Sequence, residues 1–185
     1  NQGLTIEWVN TPFDSVVAGV STCQFPVAIA AITITDERKN EMLFSKPYIN
    51  AGQIVVGAIN NEVVTSVADL SGKTVAAQLG STGELEAQKI ADVNYKPYDT
   101  YDLAFLDLVN GQVDAVIADY PTALGFIGMN EGKLKTVGEV FTDESYGIAV
   151  CKDNADLLAK IDTGLQAMID SGKVKELETK WLASQ

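Results

Sequence analysis

Short apolar runs alternate with amphipathic stretches along the chain, a pattern that predicts strands alternating with helices. Residues 26–31 and 114–118 form almost continuous apolar runs, which are typical of strands covered on both faces. Further strands are predicted at residues 5–9, 53–57, 73–78 and 95–98, and further helices start near Thr11, Glu84, Thr100 and Pro121. The alternation predicts an α/β fold with largely parallel sheets and helices on both faces.

The chain is predicted to finish with two helical segments, at residues 155–170 and 173–182. In the first segment apolar residues recur at every fourth position, which predicts one buried stripe along the helix. The stripe consists of Leu157, Ile161, Leu165 and Ile169.

Length and charge narrow the classes of function. The 185 residues are enough for one large α/β domain or for two small lobes. The 25 acidic and 13 basic residues give a formal net charge of −12, which disfavours nucleic acid and anionic membranes as partners. No apolar run is long enough to span a bilayer, and residues 1–3 do not resemble a signal peptide, so any export signal is expected to have been removed.

The residue types also limit the chemistry. The chain has no histidine, which removes the commonest general base, the commonest zinc ligand and any Ser-His or Cys-His pair. Its two cysteines, Cys23 and Cys151, are far apart and form no CxxC motif, so neither a metal site nor a redox site is predicted. Taken alone, they are either one disulfide of an exported protein or two buried thiols.

Ligands of parallel α/β sheets bind beyond the carboxyl ends of the strands, so the turns after the predicted strands are candidate sites. The first turn contains Thr33, Thr35 and Arg38. Thr35 and the acidic residues after it are typical of a capped helix start, with Arg38 on the surface. Alternatively, Arg38 binds a ligand carboxylate in a bidentate manner, and Thr33 adds hydrogen bonds from its hydroxyl and its backbone N–H.

Two further turns carry polar groups. Residues 80–83 are small and precede a helix, so they form either a plain turn with an N-cap or an anion site of bare backbone N–H groups. Asp119 ends an apolar strand and either caps the next helix or holds an ammonium group. A carboxylate receptor together with an ammonium receptor is what a free α-amino acid requires.

Several blocks of the sequence closely resemble the signature of the polar-amino-acid periplasmic binding proteins of ABC importers. The blocks are residues 28–38 (AIAAITITDER), 44–48 (FSKPY), 69–76 (DLSGKTVA), 80–83 (GSTG), 110–119 (NGQVDAVIAD), 146–150 (YGIAV) and the pair Trp181 and Leu182. They occur in the family order and spacing over essentially the whole chain, so the resemblance is specific.

The resemblance implies a two-lobed, periplasmic-binding-protein-like α/β fold whose lobes are joined by two crossing strands and close as a hinge on an amino acid. The first lobe would comprise residues 1–51 and 147–185, and the second residues 52–146. The implied partners are the ligand and the membrane subunits of an ABC importer. The implied location is periplasmic or extracellular after export, with or without a lipid anchor in the precursor, and no cofactor or metal is implied.

The family also implies roles for individual residues. Arg38 and Thr33 would bind the α-carboxylate of the ligand, and Ser81 and Thr82 would reach it from the other lobe. Asp119 would bind the α-ammonium. The ammonium-binding set would also include the backbone carbonyl of Ala31.

The chain departs from the family pattern at its start. Family members normally open with a strand and a helix before the equivalent of residues 5–9, so the first lobe is expected to be N-terminally truncated, with a gap between two strands. The gap could close directly, be filled by the missing segment as a separate chain, or be covered by a second copy. A homodimer formed by strand exchange is the outcome we expect.

The resemblance also bears on the two cysteines. Cys23 stands where the family commonly has glycine, and Pro26 where it usually has aspartate. In the family fold the strand ending at Val150 lies antiparallel beside the strand beginning near Pro26. The resemblance therefore implies a disulfide between Cys23 and Cys151.

Two other classes of function stay open. A few relatives of these binding proteins are small-molecule dehydratases, but the chain shows no evident acid-base machinery beyond the carboxylates Glu84 and Asp119, so no enzymatic activity is predicted. The other alternative is an oligomeric interaction or sensor module that no longer binds a ligand.

Overall fold

The computed structural model describes residues 3–182, which form two compact units. The chain leaves unit 1 after Asn50, forms unit 2 over Ala51–Asp143, and returns to unit 1 at Glu144. The elements in chain order are α1 (Phe13–Ser21), β1 (Val27–Thr33), α2 (Asp36–Glu41), β2 (Met42–Phe44), β3 (Ile49–Ala51), β4 (Gln53–Ala58), a 3₁₀ helix (Val67–Leu70), β5 (Thr74–Gln78), α3 (Thr82–Gln88), β6 (Asn94–Tyr98), α4 (Tyr101–Val109), β7 (Ala115–Asp119), α5 (Tyr120–Met129), β8 (Leu134–Val137), β9 (Glu144–Cys151), α6 (Ala155–Asp170) and α7 (Lys173–Leu182).

The sheet of unit 1 is built around β9. This strand pairs antiparallel with β1 and with β2, and β3 also pairs with it. The alternation of strands and helices predicted largely parallel sheets, which is wrong for the β1–β9 and β2–β9 pairs. The antiparallel pairing of the strands near Pro26 and Val150, which the family resemblance implied, is confirmed. In the sequence, unit 2 lies between β9 and the other strands of this sheet. β9 is therefore not joined to them by a short crossover helix, which would impose a parallel direction.

β1 contains a bulge close to its carboxyl end. Ala28 pairs with Ala149 and Ile32 with Gly147, so the register shifts between these two pairs. Ala31 lies within the shift and has a φ of 53°, in the left-handed region that alanine rarely adopts. Such bulges bend a strand and redirect its backbone groups, and they are frequent next to functional sites.

α1 packs on this sheet through a small core of buried side chains. The core consists of Val20, Ile32, Met42 and Ala149. The strand predicted at residues 5–9 is not formed, because residues 3–12 carry no helix or strand and have no partner among the strand pairs of the described residues. α1 begins at Phe13, with Pro12 rather than Thr11 at the N-cap position.

Unit 2 is a five-stranded mixed sheet in the order β6-β5-β7-β4-β8. β5 runs parallel to β6 and β7, whereas β4 runs antiparallel to β7 and β8, so the parallel prediction holds for three strands only. Apolar clusters lie on both faces of the sheet, one around Phe105 with α4 and the other around Leu70 and Val75. Strands covered on both faces explain why the runs at residues 53–57 and 114–118 are almost wholly apolar.

Candidate functional site

Unit 1 brings Arg38 and Thr33 together just beyond the end of β1. The Thr35 hydroxyl oxygen accepts the Arg38 backbone N–H at 3.1 Å, so the predicted capped helix start is present. The Arg38 side chain turns back over this cap: its Nη1 donates to the Thr33 carbonyl at 2.9 Å, and the guanidinium lies 5.9 Å from the centre of the Phe13 ring. The contacts fix a half-buried, planar donor group beside Thr33.

Arg38 is also the only arginine in the sequence, since the other twelve of the 13 basic residues are lysines. Exposed lysines supply point charges, whereas a guanidinium presents a rigid fork that matches a carboxylate. The single use of arginine at this position favours a recognition role over a general surface role.

Thr33 has a partner that sequence reasoning missed. Its buried hydroxyl donates to Oε2 of Glu144, the first residue of β9, at 2.9 Å. A ligand carboxylate that takes the Thr33 hydroxyl therefore has to compete with Glu144. The signal in the sequence was an acidic residue at the start of a strand that is mostly apolar.

Tyr48 lies beside the strained position of β1. Burial raises the pKa of Tyr48 to about 12, although a hydrogen bond with the Ala31 backbone lowers it in part. The ring also packs against Tyr146, with 6.1 Å between the ring centres. Tyr48 is therefore a neutral phenol at physiological pH, and it contacts Ala31, the residue whose carbonyl is a predicted ligand group.

In unit 2 three polar side chains meet in the interior. Gln53, Thr82 and Asp119 are 0%, 8% and 7% exposed. Gln53 begins β4 and lies opposite Asp119, the last residue of β7, in the antiparallel pair of these strands. The Gln53 amide nitrogen donates to Asp119 Oδ1 and to Thr82 Oγ1, the latter at 3.0 Å. The structure thus joins two of the predicted site residues through a third that sequence reasoning missed.

Asp119 occupies the N-cap position of α5, but its side chain makes no capping hydrogen bond. Its carboxylate is instead held by Gln53. The interpretation of Asp119 as a simple helix cap therefore does not describe this side chain. A single polar residue in an apolar strand was the signal for Asp119, and the same signal at the start of the strand of residues 53–57 could have identified Gln53.

Ser81, by contrast, acts as a helix cap. Its hydroxyl accepts the Glu84 N–H at 3.1 Å and donates to the Gln78 carbonyl at 2.7 Å. The Glu84 carboxylate in turn accepts the Gly80 N–H at 2.6 Å. The N–H groups of Gly80 and Glu84 are thus bonded within the turn, and α3 begins at Thr82 rather than at Glu84.

Unit 1 has the disulfide that the family resemblance implied. It joins Cys23 to Cys151, with 5.0 Å between the Cα atoms. A carboxylate oxygen of Asp153 lies near the two sulfurs. Because the sulfurs are bonded to each other, they do not act as thiolate ligands for a metal ion.

A second feature of unit 1 is an apolar cavity of about 470 Å³ between the sheet and the two C-terminal helices. Its lining includes Ile29, Ile148, Ile161, Leu165 and Trp181. On the predicted stripe of α6, Leu165 is buried, but Ile169 is 38% exposed. Ile29 is 52% exposed and Trp181 69% exposed, so the cavity opens onto an apolar surface.

A two-lobed α/β fold is the architecture that the family resemblance implied for a solute-binding domain. Residues 1–184 match the family model of the bacterial extracellular solute-binding proteins, family 3, and the chain belongs to this family. The family resemblance that the sequence motifs indicated is thereby confirmed. Members of the family are solute-binding proteins, which favours a binding protein over an enzyme. None of the described helices is both long and apolar enough to cross a membrane.

The chain is similar to proteins named for different amino acids. It is 31% identical to the L-cystine-binding protein TcyJ of Escherichia coli over 94% of this chain and 66% of that protein. It is 30% identical to the L-arginine-binding protein of Pseudomonas aeruginosa over 96% of this chain and 72% of that protein. Among solved structures, an ancestral arginine-binding protein bound to arginine superposes with a TM-score of 0.91 at 39% identity, over 98% of this chain and 82% of that one.

Proposed function

We propose that this protein binds a free amino acid outside the cytoplasm and delivers it to the membrane subunits of an ABC importer. The names of its relatives support an amino acid as the ligand, and they include both arginine and cystine. The observation that carries the proposal is the buried carboxylate of Asp119 at a strand end, held by an amide rather than used as a helix cap. A buried carboxylate pairs favourably with a cationic group, and the α-ammonium of an amino acid is such a group.

In this proposal Arg38 and Thr33 bind the α-carboxylate of the ligand. The guanidinium is already oriented by the Thr33 carbonyl and the Phe13 ring, so little side-chain freedom is lost on binding. Ser81 and Thr82 add hydrogen bonds to the same carboxylate. The Ser81 hydroxyl is held by its capping hydrogen bonds. This is compatible with Ser81 contributing to carboxylate binding through the backbone of its turn.

Asp119 binds the α-ammonium, and the carbonyl of Ala31 is its second acceptor. The positive φ of Ala31 supports this role, because a bulge in β1 turns a carbonyl away from the regular strand direction. Strained backbone of this kind costs about 1–3 kcal/mol and clusters at functional sites.

Isothermal titration calorimetry with the twenty amino acids tests the proposal. At least one of them should bind the unmodified protein, and Arg38→Ala should weaken its binding by about 2–5 kcal/mol, as expected for a desolvated charge pair. Asp119→Asn should also weaken binding. Lys39→Ala is the matched control, since Lys39 is the next residue on α2 and forms only a surface ion pair with Asp36 at 3.0 Å. A protein that binds no amino acid, or an Arg38→Ala variant with full affinity, would contradict the proposal.

We further propose that the chain forms a homodimer through the apolar surface of unit 1. Trp8 is 77% exposed on a segment whose apolar residues alternate, and Ile29 and Trp181 are exposed at the cavity. Each tryptophan leaves an area on the order of 150 Å² in water, and apolar patches beyond a few hundred Å² generally mark interaction sites. Residues 4–9 of one copy have the strand pattern needed to pair with the edge of β1 in a second copy.

Light scattering on the purified chain at micromolar concentration tests the homodimer. The mass should correspond to two chains, and Ile29→Lys and Trp181→Lys should lower it to one. Val63→Lys is the control, because Val63 is an exposed apolar residue of unit 2. A one-chain mass for the unmodified protein, with cooperative unfolding, would rule the dimer out.

A further inference from the structure

We propose that Gln53 is a positioning residue that orients the Asp119 carboxylate towards the α-ammonium of the ligand. This inference rests on the proposed function, because it assigns Gln53 a role through Asp119. Gln53 belongs to none of the post-strand turns in which ligand groups are expected. It lies at the opposite end of its strand, and only the antiparallel direction of β4 brings it beside Asp119.

The backbone of Gln53 is held on both sides. Its N–H donates to the Thr142 hydroxyl at 2.8 Å, and its carbonyl accepts the Phe141 N–H at 2.9 Å. Its side chain is fully buried. The amide therefore projects from a backbone that is held by residues 141–142 and by the pairing of β4 with β7.

The partners of the side chain determine how the amide is oriented. An ionised carboxylate only accepts hydrogen bonds, so the NH₂ end of the amide must face Asp119. A hydrogen bond donated to a carboxylate favours its ionised form, which is the form that attracts an ammonium. The same nitrogen donates to the Thr82 hydroxyl at 3.0 Å, so a single amide orients two of the proposed ligand groups.

Gly83 makes room for this arrangement. A Cβ at position 83 would lie 3.0 Å from Gln53 Oε1, 3.0 Å from the Ile117 carbonyl and 3.2 Å from the Tyr101 hydroxyl. A side chain at this position would crowd Gln53 and the end of β7, and glycine avoids this crowding in the first turn of α3. The close packing on this side limits the space in which the Gln53 amide can move.

The test compares the amino acid with an analogue that lacks the α-ammonium. L-arginine and L-glutamine are titrated beside 5-guanidinopentanoate and glutaramate, using the unmodified protein, Gln53→Met and Gln53→Asn. Methionine keeps the volume without a donor, and asparagine keeps the amide but is one methylene too short. For the amino acid that binds, each variant should weaken affinity about tenfold to a hundredfold, the cost of a hydrogen bond to a charged group. The affinity for its analogue should change much less.

A double-mutant cycle separates positioning from general packing. If Gln53 acts through Asp119, Gln53→Met should have little further effect on affinity in the Asp119→Asn background. Equal losses for amino acid and analogue, an unchanged affinity, or variants that no longer fold would each overturn the positioning role while leaving the proposed function intact. A protein that binds neither amino acid nor any other of the twenty would instead overturn the proposed function, and the inference with it.

Discussion

Cys23 and Cys151, which are 128 residues apart in sequence, are joined by a disulfide at one end of the unit 1 sheet. Cys23 follows α1, and Cys151 is the last residue of β9. The bond therefore links the segment before β1 to the strand that pairs with β1. It also closes a loop that contains the whole of unit 2.

Removing this disulfide should lower the stability of the protein. The variant Cys23→Ala/Cys151→Ala is expected to lose about 2–5 kcal/mol in the free energy of unfolding, because the cross-link restricts the unfolded chain. Urea titrations of the variant and of the unmodified protein, with and without reductant, measure the difference. Reductant should destabilise only the unmodified protein, and equal stabilities of the two oxidised proteins would contradict the prediction.

The backbone at Cys23 supports a second prediction. Cys23 has a φ of 60°, in the left-handed region that glycine adopts without strain. In a Cys151→Ala background, Cys23→Gly should be more stable than Cys23→Ala by about 1–2 kcal/mol, the cost of this conformation for a residue with a Cβ. Thermal unfolding of the two variants, which differ by one methyl group, measures the difference. A more stable alanine variant would contradict the assignment of φ.

Two glycines of unit 2 should respond to alanine in opposite directions. A Cβ on Gly52 would lie 2.3 Å from the Thr142 carbonyl oxygen, which is backbone and cannot rotate away, so Gly52→Ala should cost about 1–3 kcal/mol or more. A Cβ on Gly125 in α5 would meet nothing within 4 Å. Gly125→Ala should therefore stabilise by about 0.5–1 kcal/mol, the gain in helix propensity. Urea unfolding of both variants checks the sign of each effect.

Asp69 should make stability depend on pH. Its Oδ2 accepts the Thr65 hydroxyl at 2.7 Å and the backbone N–H groups of Thr65 and Ser66 at 2.9 and 3.0 Å. These bonds, first of all the one from the Thr65 side chain, lower the pKa of Asp69. The stabilisation is therefore complete above the unfolded pKa of about 3.9 and is lost as the pH falls through the lower folded value.

Asp69→Asn removes this titration. The unmodified protein should be more stable than the variant near neutral pH, and the difference should shrink towards zero as the pH falls below about 4. Urea midpoints of both proteins between pH 7 and the acid transition measure this difference curve. A difference that stays constant over the acid range would show that the Asp69 hydrogen bonds do not depend on its charge.

The local sequence predicted most of the elements, because their signals are local. A helix was expected to start near Thr100, and the Thr100 hydroxyl accepts the Leu103 N–H at the start of α4. Both C-terminal helices have the predicted bounds. The apolar strands of unit 2 lie within one residue or two of their predicted positions. Periodicity and capping depend on neighbours within a few residues, so the sequence contains this information directly.

The predictions that failed concern partners distant in sequence. Residues 5–9 have a strand pattern, but a strand forms only where another strand satisfies its backbone groups, and the described residues provide none. The direction of β4 is likewise decided by where the chain re-enters the sheet, which no local pattern specifies. For β9 the local pattern was equally silent, and the family resemblance supplied the antiparallel direction that is observed. The parallel prediction failed for this reason.

Local patterns were enough to establish the α/β class and the capped turns, and the order of the motifs was enough to establish the family of solute-binding proteins. Which polar groups lie next to one another became visible only in the folded chain. The fold pairs Thr33 with Glu144 across 111 positions and Gln53 with Asp119 across 66. Such contacts depend on strand direction and register, which emerge from the packing of both sheet faces rather than from any one segment. The residues that orient the proposed ligand groups are therefore visible only once the chain has folded.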